Sequence, residues 1–171
     1  KVLVSSPRQV RRSVEMSLDA LNMDRIDCMQ MHGPMIERME MDGLMEVLSQ
    51  LEEMRDEGLF RYIGLTGHSR FEKMLALIET ERLDTLLIQH GYMRKGFNTR
   101  HSHEQLEYQE MCLAKAHELD MGIVAMKVMG AVVFGHNAKQ LVPDFDEEAY
   151  AKLPGAAIRW ALQDERLDVM V

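Results

Sequence analysis

Helical and strand patterns alternate strictly along this chain of 171 residues. Apolar residues at helical spacing, such as Val10, Val14 and Leu18, are followed by an apolar run too short for a helix, and this succession recurs to the end of the chain. The sequence predicts strands at 26–31, 62–66, 85–89, 123–126 and 168–171, each preceded by a helix. Strict alternation requires crossover connections, so the strands are expected to be parallel and to share one sheet.

Two α/β architectures satisfy this order. One is an open, doubly wound sheet, and the other is part of a (β/α)8 barrel. A closed barrel usually takes about 250 residues, so length alone favours the open sheet.

The ends of two predicted helices carry local signals. Gly58 suits the left-handed position that closes the helix before the second strand. Ser69 and Glu72 have the spacing of a capping box at the start of the next helix. Later helices are predicted at 104–119 and 156–163.

Charge and cysteine content narrow the function classes. The formal net charge is -8, and acidic and basic residues are interspersed, which argues against nucleic acid or an anionic membrane as the main partner. No apolar run approaches the roughly 20 residues that span a bilayer. Cys28 and Cys112 lie far apart in apolar segments, so they are expected to be buried thiols in a reducing cytoplasm.

Polar residues follow four successive strand predictions, and neither a GxGxxG nor a P-loop pattern occurs. In parallel α/β folds, functional side chains collect at the carboxyl ends of the strands. A single histidine after a strand is usually an ordinary loop residue, but four strands ending this way favour a site. The residues concerned are His32, then Thr66 with Gly67 and His68, then Gln89 with His90, and finally Lys127.

Five ordered segments then resemble the aldo-keto reductase family, most closely a bacterial branch. The segments are Ser17–Pro34 with its Met31-His32-Gly33-Pro34 junction, Gly58–Thr66, Leu87–Gln89, Gly122–Lys127 and Ala157–Leu162. The resemblance implies a TIM-type (β/α)8 barrel, represented over residues 1–171 by a single partial barrel domain of about five βα units. It also implies that the sequence is incomplete at both ends relative to the family, and it outweighs the argument from length.

The resemblance further implies hydride transfer between a nicotinamide cofactor, NADP or NAD, and a small aldehyde, ketone or sugar-type carbonyl. His32 matches the catalytic histidine of the family, and Lys1 matches its lysine. The family's aspartate and tyrosine would precede Lys1. The cofactor-binding positions match Thr66, Gly67, His68, Gln89 and Lys127; Gly67 and His68 stand where many members have asparagine, and Lys127 where many have a tyrosine that stacks on nicotinamide.

Two alternatives stay open at this stage. A non-catalytic relative could bind the cofactor or a protein partner without turnover. A metal-dependent hydrolase could use His32, His68 and His90 at three strand ends. The loops 92–102 and 130–145 are expected to select the substrate, and the oligomeric state is left open.

Overall fold

The computed structural model describes residues 1–91, 101–129 and 146–171. After a 3-10 turn at Pro7–Gln9, strands and helices alternate as the sequence predicts. The helices are α1 (Val10–Leu21), α2 (Gly33–Arg38), α3 (Met41–Asp56), α4 (Phe71–Ile78), α5 (His103–Glu118) and α6 (Glu147–Ala161). The strands are β1 (Ile26–His32), β2 (Phe60–Gly67), β3 (Thr85–Gln89), β4 (Gly122–Met126) and β5 (Val169–Met170).

The five strands form one parallel sheet in the order β1-β2-β3-β4-β5. A doubly wound sheet reverses its strand order at a switch point, whereas barrel strands follow one another around the sheet. The sequential order therefore excludes the open, doubly wound sheet. Val2 extends the sheet at the β1 edge: it pairs with Met31 in parallel, and its N–H donates to the Gln30 carbonyl at 2.8 Å.

The two faces of this sheet are buried to different extents. On the helix-covered face, Met31, Leu65 and Ile88 are completely buried. On the opposite face the exposure varies, from 1% for Thr66 to 51% for Tyr62. One covered face and one open face is the arrangement of barrel strands, whose helices all lie outside.

A glycine allows three strands to meet on the open face. A Cβ atom on Gly64 would lie 2.8 Å from Gln30 Cγ and 3.2 Å from Cys28 Sγ, and would also collide with the Thr85 hydroxyl. The hydrogen at this position leaves Cys28 Sγ 3.4 Å from Thr85 Oγ1, across the intervening strand. Gly64 is therefore required by packing in the interior layer rather than by its backbone angles.

The prediction for Gly58 is confirmed. Gly58 has φ +88°. The Leu59 N–H donates to the Met54 carbonyl at 3.1 Å, and the Gly58 N–H donates to the Arg55 carbonyl at 2.9 Å. This hydrogen-bond pair is a Schellman motif, which ends α3 and turns the chain into β2.

The Gly33-Pro34 pair follows β1 and starts the short helix α2, because proline is well tolerated in a first helical turn. Two local predictions need correction. The last helix begins at Glu147, before the predicted 156, and contains Pro154. The Ser69–Glu72 capping box is wrong: Arg70 is the N-cap, and the side chain of Gln105 accepts the Phe71 N–H at 3.0 Å.

Candidate active site

The sheet register brings the predicted site residues to one edge. His32 and Thr66 are directly paired at the ends of β1 and β2. Gln89 pairs with Met126 at the ends of β3 and β4, and Lys127 follows at once. The structure therefore places the side chains that follow four separate strands along a single row of carboxyl ends.

His32 connects β1 to α2 and is half-buried. Its N–H donates to the Val2 carbonyl at 3.2 Å, which fixes its backbone beside the first residues of the chain. Partial burial lowers the pKa of His32, and the positive charge of Lys1 lowers it further. The imidazole is therefore neutral near pH 7 and can both donate and accept a hydrogen bond.

Lys1 lies close to this histidine. Because Val2 pairs with Met31, Lys1 lies alongside Gln30, which is on the open face together with His32. The charge of Lys1 also contributes to lowering the pKa of His68. The ammonium group is thus within electrostatic reach of both imidazoles.

Gln89 and Thr66 are the most deeply buried polar residues of the row, with exposures of 2% and 1%. The main-chain carbonyl of Gln89 accepts a hydrogen bond from the side chain of Gln109. Its side-chain Oε1 has no hydrogen-bond partner within the described ranges. A buried acceptor without a donor is costly, so this atom is suited to a ligand that brings an N–H group.

Gly67 and Gly33 let the ends of β1 and β2 approach closely. A Cβ atom on Gly33 would lie 3.3 Å from the Gly67 Cα, and one on Gly67 would lie 2.7 Å from Met74 Sδ. Gly67 thus has a packing role where many family members have asparagine. Next to it, His68 has a pKa lowered by burial and then by the charge of Lys127.

Lys127 follows β4 with φ +58°, an uncommon backbone angle for a residue with a side chain. Partial burial lowers the pKa of its ammonium group. Lys127 immediately follows β4, and its positive charge lowers the pKa of His68. The ammonium group therefore lies at the carboxyl edge of the sheet. It cannot supply the aromatic surface that the family tyrosine offers to nicotinamide.

His101, which was not among the predicted site residues, belongs to this neighbourhood. Its ring packs edge-on against Phe71 with centroids 5.3 Å apart, and its Nε2 is buried without a hydrogen-bond partner in the described part of the chain. Burial lowers its pKa, and the proximity of His68 adds to that shift. Ser102 accepts the Gln105 N–H at 3.2 Å and thereby caps α5. This capping pattern is the sequence signal that could have indicated that His101, the residue before the cap, faces inward.

His90 lies apart from the other imidazoles. It stacks on Trp160 of α6, and its Nε2 is 3.5 Å from Asp164 Oδ2. Across residues 1–91, 101–129 and 146–171, no three histidine, cysteine or acidic side chains are grouped so that they could hold a metal ion. The alternative of a metal site made by His32, His68 and His90 thus finds no support in the described geometry.

The loops 92–100 and 130–145 lie outside the described residues, so the expectation that they select the substrate stays a prediction. Among the described helices, none is long and apolar enough to cross a membrane.

Fold and site together define an α/β protein of the barrel class with polar residues gathered at the carboxyl ends of its strands. The model of the aldo/keto reductase family matches residues 4–171, and the chain belongs to this family. A curated relative, the uncharacterized oxidoreductase YqkF of Bacillus subtilis (strain 168), is 36% identical over 62 residues. That match covers 36% of this chain and 19% of the relative.

Solved structures share the fold at low sequence identity. The holo form of aldo-keto reductase AKR11C1 from Bacillus halodurans superimposes with a TM-score of 0.66 at 16% identity, and 99% of this chain covers 57% of that one. The glycerol dehydrogenase AKR11B4 from Gluconobacter oxydans gives a TM-score of 0.63 at 20% identity, with coverage of 99% and 56%. The chain therefore spans little more than half the length of these solved structures.

Proposed function

We propose that this chain is part of an NAD(P)H-dependent aldo-keto reductase that transfers hydride between the cofactor and a small aldehyde, ketone or sugar-type carbonyl. The observation that carries the proposal is the buried Gln89 Oε1, which has no hydrogen-bond partner among the described residues and shares its sheet edge with His32 and Thr66. Family membership supports the reaction class. The negative net charge also suits a small-molecule partner better than nucleic acid or a membrane surface.

The donor set fits a nicotinamide carboxamide. Gln89 Oε1 would accept from the carboxamide N–H group, and the buried Thr66 hydroxyl would donate to its carbonyl. When bound, the reduced cofactor supplies the hydride that reaches the carbonyl carbon. Lys127, in place of a stacking tyrosine, would leave the nicotinamide ring to be held chiefly through these hydrogen bonds.

His32 would orient the substrate. A neutral imidazole can donate a hydrogen bond to the carbonyl oxygen, and such a bond strengthens as negative charge develops on that oxygen. Lys1 would hold positive charge beside His32 and lower the pKa of a neighbouring acid. The family's tyrosine acid and aspartate correspond to positions before Lys1, so we propose that the active enzyme includes them.

A non-catalytic member of the family is the second candidate, because turnover depends on two residues that correspond to positions before Lys1. Such a protein would bind the cofactor through Gln89 and Thr66 yet catalyse no reduction. Cofactor binding and turnover must therefore be measured separately.

The test uses the full-length polypeptide that contains these residues. We expect the protein to bind NADPH and to oxidise it in the presence of simple aldehydes. The absorbance of the reduced nicotinamide measures this oxidation. His32→Gln should lower kcat/KM by about 100-fold or more while leaving NADPH affinity within a few-fold. His103→Gln is the matched control, because the His103 side chain is 89% exposed on α5.

Each outcome separates the candidates. Turnover that depends on His32 supports the reductase. Cofactor binding without turnover on any aldehyde or ketone favours the non-catalytic relative. Failure to bind either NADPH or NADH contradicts the reductase and leaves, of the non-catalytic relatives, only one that binds a protein partner.

A further inference from the structure

A short sequence pattern occurs three times in this chain, each time at the start of a strand. It consists of an acidic residue, arginine, leucine or isoleucine, and aspartate. The copies are 24–27 before and within β1, 81–84 before β3 and 165–168 before β5.

The aspartate of two copies binds the backbone of the neighbouring strand. Asp84 Oδ2 accepts the Ile63 N–H at 2.8 Å, and the Asp84 N–H donates to the Ile63 carbonyl at 2.8 Å. Asp168 repeats this with Ile123, at 2.7 Å and 3.0 Å. Each carboxylate therefore accepts the backbone amide of the residue that lies beside it on the preceding strand of the sheet.

The arginine of the same two copies binds a helix. Arg82 Nε donates to Glu52 at 3.1 Å, and a second guanidinium nitrogen donates to the same carboxylate. Arg166 donates to Glu110. Glu52 lies on α3 before β2, and Glu110 lies on α5 before β4. In both copies the acidic partner therefore comes from the helix that leads into the strand whose amide the aspartate binds.

The first copy makes neither of these contacts with the described residues. The Asp27 side chain is 79% exposed, and its nearest cation is Arg61 at 3.9 Å, across on β2. Arg25 is exposed, and among the described residues it has no hydrogen bond or ion pair with a carboxylate. None of the described residues therefore supplies to this copy the contacts that the other two copies make.

The strand at that edge is already begun by this chain. Val2 pairs with Met31 in parallel, so Asp27, four residues before Met31, faces the position four residues before Val2. That position lies three residues upstream of Lys1. The register makes its backbone amide the counterpart of Ile63 and Ile123.

We propose that the first copy forms the same two contacts with the helix–strand unit joined to Lys1 in the full-length polypeptide. Asp27 accepts the backbone N–H of the residue three positions before Lys1, and Arg25 pairs with a carboxylate on the helix preceding that strand. The same two contacts then link three strand pairs: β2–β3, β4–β5, and β1 with the strand that leads into Lys1.

Continuity of the chain selects this occupant over a second copy. Lys1 and Val2 already lie on the β1 edge, and the polypeptide attached to them continues the same parallel strand. A strand from a second copy would have to displace it. The solved relatives, of which this chain covers 55–57%, leave room for such a unit.

The test is hydrogen exchange with mass spectrometry on the full-length protein. Asp84→Ala is the positive control and should speed exchange of the peptide containing Ile63 by about tenfold, because a charge-assisted hydrogen bond is lost. Asp27→Ala should speed exchange in the peptide just before Lys1 by a similar factor and leave the Ile63 peptide unchanged. Both aspartates are at least partly exposed, so the sheet is expected to stay folded.

A second measurement tests the arginine independently. Arg25→Gln and Arg82→Gln should each lower the urea midpoint, with Arg11→Gln as a control because its pair with Glu57 is exposed on both sides. Unchanged exchange before Lys1 in Asp27→Ala, alongside accelerated exchange in Asp84→Ala, would overturn the proposal. So would an intact mass of 19.7 kDa for the natural protein, because no preceding unit would then exist.

Discussion

The imidazole ring of His90 stacks on the indole ring of Trp160, with centroids 4.8 Å apart and planes inclined by 16°. His90 directly follows β3, and Trp160 lies in the last turns of α6. The contact joins the sheet to α6 beside a small apolar cluster that includes Ala157 and Ala161. The stack and this cluster together hold the described part of α6 against the sheet.

We expect Trp160→Ala to lower the free energy of unfolding by about 2–3 kcal/mol, because it removes the stack and leaves a cavity beside Ala161. Trp160→Phe keeps an aromatic face against His90 and should cost about half as much. Urea unfolding of the full-length polypeptide followed by circular dichroism measures both, because the substitution itself removes the fluorescence of Trp160. Equal losses in the two variants would contradict a role for the stack.

The environment of His90 also predicts how stability depends on pH. Burial lowers the pKa of His90 from 6.5, and the nearby Asp164 only partly opposes this shift. The unfolded chain therefore binds a proton at a higher pH than the folded one. The stability contribution is complete above about pH 6.5 and falls as the pH drops below that value.

The check is the slope of unfolding free energy against pH between about 7 and 5. His90→Gln should flatten it. Some slope should persist, because His32, His68 and His101 also have lowered pKa values. An identical slope in wild type and His90→Gln would show that His90 does not contribute.

The interior layer around Gly64 gives a prediction about packing. Gly64→Ala introduces a Cβ that collides with the Thr85 hydroxyl and lies 2.8 Å from Gln30 Cγ, so we expect a loss of about 1–3 kcal/mol. Removing the hydroxyl branch in Gly64→Ala/Thr85→Ala should recover part of that loss. A double-mutant cycle measures the coupling. Strictly additive effects would mean that the alanine methyl is accommodated elsewhere.

The buried acceptor of Gln89 predicts an effect on cofactor affinity. In the full-length protein, Gln89→Leu should raise the dissociation constant for NADPH by about tenfold, because a hydrogen bond to the carboxamide is lost. Gln50→Leu, a partly exposed substitution on α3, is the matched control. Isothermal titration with NADPH distinguishes the two. An unchanged affinity in Gln89→Leu would remove Gln89 from the cofactor site.

Much of the fold could be predicted because its signals are local. Strand β3 was predicted with its observed bounds, since a run of apolar residues between turn residues is unambiguous at that length. The gathering of His32, Thr66, Gln89 and Lys127 also followed, because parallel strands present their carboxyl ends at one edge.

What escaped prediction depends on contacts distant in sequence. Gln105 caps α4 across 34 residues, which displaced the expected role of Ser69. The helix-facing orientation of His90 depends on Trp160, 70 positions later, and the burial of His101 depends on Phe71. No local pattern specifies such partners, because they are brought together only by the packed sheet and helices.

The open face of the sheet predicts how residues 1–171 behave when produced alone. Tyr62 is 51% exposed and Val169 is 54% exposed, and both lie on the face that a closed barrel would turn inward. Contiguous apolar surface of this kind promotes association, as does an unpaired strand edge. We therefore expect the isolated segment to self-associate and to bind a hydrophobic dye, as measured by light scattering and dye fluorescence.

Two substitutions test whether self-association depends on this face of the sheet rather than on exposed apolar side chains in general. Tyr62→Lys with Val169→Lys should reduce association, because like charges on the open face repel a second copy. Leu162→Lys is the control, since Leu162 is 69% exposed just after α6 and away from that face. A cooperative monomer of 19.7 kDa that binds no dye would contradict the prediction and would mean that these strands need no covering partner.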